Sequence, residues 1–288
     1  MTLAFGAEIV TRFAPSPTGL LHLGHAHSAL LAHRTARQSS GRFLLRIEDI
    51  DRTRCKPEFE AALIEDLHWL GIDWEEPVRR QSEHFADYAA ALERLEASGL
   101  LYPCFCSRKD IAAAASAPHE GEAVIYPGTC RGLDPVLAAE RKTAGAPFAL
   151  RFDVAKAVRQ AGPLTFREAE PDGTNLRETR AEPEHFGDVV LGRRDTPASY
   201  HLCATLDDHL QGVTLVIRGE DLRSATHLHR LLQAVLGLAS PQYRHHVLLT
   251  NESGVRLSKR DGALALRSLR ERGLSASAVR KMAGFQDA

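Results

Sequence analysis

Arg12-Phe13-Ala14-Pro15-Ser16-Pro17-Thr18-Gly19-Leu20-Leu21-His22-Leu23-Gly24-His25 is the stretch on which the fold turns. Residues 8 to 14 suit a short buried strand, which must break at Pro15 and Pro17 because proline fixes φ and donates no hydrogen bond. A helix is expected from near His22 through Leu30, Leu31 and Ala36. Strand, turn and helix in that order open an α/β unit.

Outward from this stretch the alternation continues. Phe43-Leu44-Leu45-Arg46-Ile47 reads as an interior parallel strand that ends in the acidic cluster Glu48-Asp49-Ile50-Asp51, and charge at a strand's carboxyl end suggests a site. A helix over about Lys56 to Leu70 follows. A second helix should be capped by Ser82, run with apolar spacing through Phe85, Tyr88, Ala89, Leu92 and Leu95, and stop at Gly99. From Leu101 to about Phe186 short strands, turns, an alanine run (Ala112 to Ala115) and a cysteine cluster suggest an inserted subdomain. Val213-Thr214-Leu215-Val216-Ile217 then resumes the α/β pattern, ending in Arg218-Gly219-Glu220-Asp221 before a helix over Ala225 to Leu236, and Val247-Leu248-Leu249 reads as a last apolar strand. The fold class is α/β with a parallel sheet. Its expected division is a core of residues 1–100 and 187–250, an insertion over 101–186, and a loop with a short helical remnant over 251–288.

Composition narrows the function classes. With 288 residues, 44% hydrophobic and 25% charged, the chain is an ordinary globular sequence. It has no apolar run long enough to span a membrane and no signal-peptide pattern, so a cytoplasmic protein, expected as a monomer, is the reading. Lys and Arg number 36 against 37 acidic residues, which gives no overall field toward nucleic acid, although basic clusters occur at Arg34, Arg37 and Arg42, at Arg79-Arg80, and from Arg267 to Lys281. Five scattered cysteines argue against a secreted disulfide framework.

Two segments carry nucleotide chemistry. His22-Leu23-Gly24-His25 sits at a helix start, where unpaired N–H groups and the helix dipole favour a triphosphate. The imidazoles at 22 and 25 can donate to phosphate oxygens, and Gly24 allows adenine close to the backbone. Far along the chain, Val255-Arg256-Leu257-Ser258-Lys259-Arg260 is a polar loop with three cations behind a Gly254 hinge, suited to neutralising pyrophosphate charge in the transition state.

Together these segments resemble the HIGH and KMSKS signatures of class I aminoacyl-tRNA synthetases, with Arg256 and Arg260 departing from the second pattern and Lys259 retained. Arg12 to Gly19, Arg46-Ile47-Glu48-Asp49 and Ile217-Arg218-Gly219-Glu220-Asp221-Leu222 resemble glutamyl-tRNA synthetase catalytic cores. The resemblance implies a Rossmann-type catalytic domain split by an insertion, with ATP, Mg2+ and an aminoacyl-adenylate. It implies catalytic roles for His22, His25 and Lys259, and ATP binding by His22, Gly24, His25, Ser258 and Lys259. It also implies a glutamate site of Arg12, Phe13, Ala14, Pro15, Ser16, Glu48, Tyr200 and Arg218. Glutamate carries two carboxylates and an ammonium, so cationic donors and one buried anion are the chemistry required.

Cys104-Phe105-Cys106 followed by Cys130 permits a tetrahedral zinc site. Ligand chemistry alone nominates His119 as the fourth donor; the resemblance instead implies Cys104, Cys106, Tyr126 and Cys130 around one structural Zn2+. Cys55 and Cys203 are expected to be packing residues. Only 28 residues follow Arg260, too few for an anticodon-binding domain. In this the chain resembles the short glutamyl-Q tRNA(Asp) synthetases, which implies tRNA-independent glutamate activation and transfer to queuosine in tRNA-Asp. Charging of tRNA-Glu, an RNA-binding protein without acylating activity, and another nucleotidyltransferase of the HIGH type are the alternatives.

Overall fold

The computed structural model describes residues 8–107, 109–111, 125–193, 198–250 and 265–286. The loop carrying Gly254, Ser258 and Lys259, the candidate ligand His119, and the alanine run lie outside the described residues.

Strand β1 (Val10–Phe13), helix α1 (Leu23–Gln38), β2 (Arg42–Ile47), α2 (Pro57–Trp69), β3 (Glu75–Arg80) and α3 (Phe85–Ala97) form the first half of the chain. Next come β4 (Leu101–Cys104), α4 (Pro135–Thr143), β5 (Ala149–Phe152), α5 (Val154–Ala161), β6 (Thr165–Ala169), β7 (Arg177–Arg180) and β8 (Val189–Arg193). The second half holds α6 (Tyr200–Leu210), β9 (Leu215–Gly219), α7 (Ala225–Leu236), β10 (Gln242–His246), α8 (Leu266–Glu271) and α9 (Ala276–Met282).

The strands β1, β2 and β3 pair in parallel, as do β9, β10 and β6, with β7 antiparallel at the far edge. The Thr214 amide donates to the Val10 carbonyl at 3.0 Å and the Val10 amide to Thr214 Oγ1 at 2.8 Å. This stitches the two groups into the order β3-β2-β1-β9-β10-β6, in which the direction of winding reverses between β1 and β9. Open α/β sheets bind ligands at the carboxyl ends of strands at such a reversal. A separate antiparallel sheet is ordered β4-β5-β8. Strand pairing therefore runs across residue 186: β6 and β7 extend the parallel sheet, and β8 completes the small one.

One core cluster joins the β1 and β2 side chains to α1 and α2, and takes in Leu266, Leu269, Val279 and Phe285 from the C-terminal residues. Another packs α3, α6 and α7 around Phe152. Cys203 is buried in the second, in keeping with a packing role, and the half-buried Cys55 donates to the Glu48 carbonyl.

Two expectations about local structure are corrected. Ser82 does not cap α3, whose N-cap is His84 without a side-chain cap bond. Instead Ser82 lies in a short 3-10 turn (Gln81–Glu83) ahead of α3, and its amide and hydroxyl donate to the two oxygens of Asp49 at 2.8 and 2.6 Å. The last parallel strand is β10, not Val247 to Leu249. Its backbone is satisfied on both sides by β9 and β6, and the chain leaves the sheet at Val247, which is 60% exposed.

Asp66 on α2 is fully buried, neither carboxylate oxygen has a hydrogen-bond partner among the described residues, and Arg270 lies 3.7 Å away. Burial raises its carboxyl to about 6, against attraction from Arg270 and Arg267. A folded-state value above the unfolded one means that stability is lost as pH rises from about 4 through 6. Asp66→Asn is therefore expected to gain ~1–3 kcal/mol at pH 7.5, after allowing for screening by solvent and Arg270. Thermal melts should show the gain shrinking to nothing by about pH 4.

Candidate active site

A cleft of about 260 Å³ opens at the winding reversal. Its walls include Arg12, Phe13, Ala14, Pro15, Ser16, His22, Gly24, His25, Glu48, Tyr200 and Arg218, so every predicted amino-acid and nucleotide residue within the described part of the chain meets in one place. The walls also hold residues that the sequence did not single out, notably His27, Ser28 and His246.

The two histidines of the helix start do more than face the cleft. His22 is the N-cap of α1: its Nδ1 accepts from the Gly24 amide at 3.1 Å, and His25 Nδ1 accepts from the His22 amide at 3.2 Å. Each ring whose Nδ1 accepts carries its proton on Nε2, so this reciprocal cap fixes the tautomer of both imidazoles. Their ring centroids are 3.8 Å apart. A Cβ on Gly24 would stand 3.0 Å from His22 Cε1, so the glycine makes room for the capping ring. Deeper in, His27 donates from Nδ1 to the Ala283 carbonyl at 2.8 Å, which ties the C-terminal helices to the cleft. His246 donates from Nδ1 to its neighbour's carbonyl, and its Nε2 accepts from Ser28.

Beneath the cleft lies a buried charge network. Arg46, with no exposed surface, donates to Asp208 at 2.7 Å, to Gln211 at 3.0 Å and to Glu48 at 3.2 Å, and lies 3.8 Å from Asp207. Arg12 donates to both Asp208 oxygens and to the Ile217 carbonyl. Asp207 accepts from Arg79, Gln81 and Tyr88. Burial would raise the Asp208 carboxyl, but Arg12 and Arg46 outweigh it and hold it below the ordinary range. At Glu48 burial wins, so its carboxyl is raised despite Arg46 and Arg12. Three guanidinium groups thus face three carboxylates, and Arg12 takes part in that wall as well as in the cleft. Asp207 and Asp208 were missed because an acidic pair in a helix reads as a solvated face. The one available signal was Arg46, a cation inside an apolar strand.

Arg218 differs from these three. It is 5% exposed, and among the described residues it has no carboxylate partner. It donates to Thr226 Oγ1 at 2.7 Å, His245 Nε2 at 3.3 Å, Tyr200 Oη at 3.4 Å and His229 Nδ1 at 3.4 Å, all neutral acceptors. Burial, then the Arg218 charge, lowers His229 well below its usual value. The same two causes bring His201, beside it, to about 4. A buried cation ringed by neutral groups has the charge to receive an anion.

Away from the cleft, Cys104, Cys106 and Cys130 bring three Sγ atoms within 4.8 Å of one another. The Tyr126 hydroxyl is 3.3 Å from Cys104 Sγ and 3.7 Å from Cys106 Sγ, and the Cys106 and Cys130 sulfurs are 3.5 Å apart. A metal bound at about 2.3 Å by thiolates needs donors about 3.8 Å apart, so these four atoms suit a tetrahedral ion. The thiol cluster can hold a metal.

A family model described as tRNA synthetases class I (E and Q), catalytic domain, matches residues 8–283. The chain belongs to this family. A Rhodobacter capsulatus relative named glutamyl-Q tRNA(Asp) synthetase is 50% identical over 286 residues, covering 96% of this chain and all of the relative. An Aquifex aeolicus relative named glutamate–tRNA ligase is 39% identical over 274 residues, 95% of this chain and 56% of the relative. In three dimensions the chain is similar to a glutamate-tRNA synthetase from Elizabethkingia anophelis, with TM-score 0.80 and 27% identity, over 97% of this chain and 61% of that one. A methionyl-tRNA synthetase from Mycobacterium tuberculosis shares the fold, with TM-score 0.58 at 12% identity. The chain is thus a class I synthetase catalytic domain of α/β type. Among its described residues no helix is long and apolar enough to cross a membrane.

Proposed function

We propose that this protein activates L-glutamate with ATP, without needing tRNA, and transfers the glutamyl group to queuosine in the anticodon of tRNA-Asp. The observation that carries the glutamate reading is Arg218, a buried guanidinium without a carboxylate partner among the described residues, opening into the same cleft as the N-terminus of α1. In the first step an α-carboxylate oxygen attacks the α-phosphorus of ATP and pyrophosphate leaves; in the second an acceptor hydroxyl takes the acyl group and AMP leaves. Arg218 and Tyr200 receive the side-chain carboxylate, and Glu48 accepts from the ammonium. Arg12 and Ser16 stand at the α-carboxylate, with Phe13, Ala14 and Pro15 as wall. His22, Gly24 and His25 take the phosphates at the helix N-terminus, and Mg2+ accompanies ATP. Ser258 and Lys259 are assigned to the departing pyrophosphate on the sequence pattern.

Similarity favours queuosine as acceptor: the Rhodobacter relative named glutamyl-Q tRNA(Asp) synthetase is 50% identical and matched over its whole length, against 42% identity over 57% of the length for a glutamate–tRNA ligase 2 from Acidithiobacillus ferrooxidans. Glutamate-dependent ATP–pyrophosphate exchange in the absence of RNA is the expected result, followed by transfer of labelled glutamate to tRNA-Asp only when queuosine is present. Exchange that requires tRNA, or transfer to tRNA-Glu, supports the other reading.

The ion assigned to Cys104, Cys106, Tyr126 and Cys130 is one Zn2+, which braces the segment around β4. Elemental analysis of the purified protein should give about one zinc per chain, and Cys104→Ser should lose it together with thermal stability. His119→Ala should keep it.

A further inference from the structure

Arg218 is held from behind by a chain of side chains that leads out of the cleft. His245 Nδ1 lies 2.6 Å from Glu168 Oε1, and Arg223 donates to the other Glu168 oxygen at 2.9 Å. Burial would raise the Glu168 carboxyl, but hydrogen bonds from His245 and Arg223 outweigh it and hold the group at about 2, so it is ionised and can only accept. His245 must then carry its proton on Nδ1, which leaves a lone pair on Nε2. That lone pair faces Arg218 Nε at 3.3 Å and the Thr226 hydroxyl at 3.1 Å. The Thr226 oxygen accepts from Arg218 Nη2 and donates its own proton to His245, so every bond of the set requires Nε2 to be bare.

We propose that Glu168 and His245 are positioning residues for amino-acid selection: Glu168 locks the tautomer of His245, and His245 with Thr226 fixes the Arg218 guanidinium in the plane that meets a side-chain carboxylate. The proposal rests on the reading that Arg218 receives that carboxylate. Without Glu168 the imidazole is free to take the Nε2–H form, which points a donor at two donors and turns the guanidinium away. Among the described residues the side-chain hydrogen bonds of Glu168, His245 and Thr226 go to one another, to Arg218 and to Arg223, so loss of the relay is expected to be selective for the amino-acid half of the cleft. Partners one step behind a ligand-contacting group typically matter by about 10- to 100-fold.

The test is steady-state pyrophosphate exchange with the full chain, varying glutamate and ATP separately. Glu168→Ala and His245→Phe are expected to raise the KM for glutamate by about 10-fold or more, with the KM for ATP and kcat changed far less. Glu168→Gln keeps an acceptor for Nδ1–H, and His245→Gln places an amide oxygen near the Nε2 position; both are expected to recover most of the loss. Thr226→Val provides the same KM measurement should either disruptive variant fail to fold. The relay is overturned if the wild type uses glutamate and the disruptive variants keep its KM, or if they weaken glutamate and ATP alike. A wild type that exchanges with another amino acid and not with glutamate overturns the underlying reading instead.

Discussion

In Arg218→Gln, glutamate-dependent pyrophosphate exchange is expected to fall by roughly 30- to several-thousand-fold. This corresponds to the ~2–5 kcal/mol typical of cutting a buried charge pair on one side. The affinity for ATP should be retained, because Arg218 reaches the cleft from the end of β9 and the phosphates are assigned to the N-terminus of α1. A second readout separates recognition from folding. In the protein without substrate the Arg218 charge is buried among neutral acceptors, so removing it also removes a desolvation cost. The variant should therefore melt no lower than the wild type while losing activity, the pattern expected where a site is tuned for its ligand at some expense of stability. Loss of exchange together with a large drop in melting temperature would instead make Arg218 a structural residue.

Arg46→Met should behave in the opposite way. It leaves Asp208, Glu48 and Asp207 buried around an apolar side chain, and breaking such a network from one side typically costs ~3–5 kcal/mol. For a chain of this size that lowers the melting temperature by on the order of 10 °C. Arg46→Lys is expected to recover little, since a single ammonium cannot bridge carboxylates on several sides as a planar guanidinium does. Urea unfolding of the three proteins checks this directly, and a shift under about 1 kcal/mol would show that solvent reaches the network. Activity should fall too, because Arg46 holds Glu48, the group assigned to the substrate ammonium.

These contrasting arginines show what could be read from the sequence. The strand, double-proline break and helix at residues 10–38 were legible because apolar periodicity and proline act locally. So were β2, β9 and the helix over Ala225–Leu236. The candidate site was legible where the signal was a motif: the predicted residues within the described chain converge on one cleft. What was not legible depended on partners far away in sequence. Ser82 looks like a cap until Asp49 is beside it, and Val247 to Leu249 look like a strand until β10 is seen paired on both edges. His22 and His25 suggested phosphate donors, but nothing local showed that they also close the end of the helix. Asp207 and Asp208 gave no hint that three arginines converge on them.

That convergence bears on how the chain is made. Arg12, Arg46 and Arg79 emerge from the ribosome well before their carboxylate partners on α6; Arg79 and Asp207 are 128 residues apart. At the usual 5–20 residues per second the gap is roughly 6–25 s. During that interval the nascent first half holds cations that cannot be buried at acceptable cost. Closure of its sheet is therefore expected to wait for the delivery of α6.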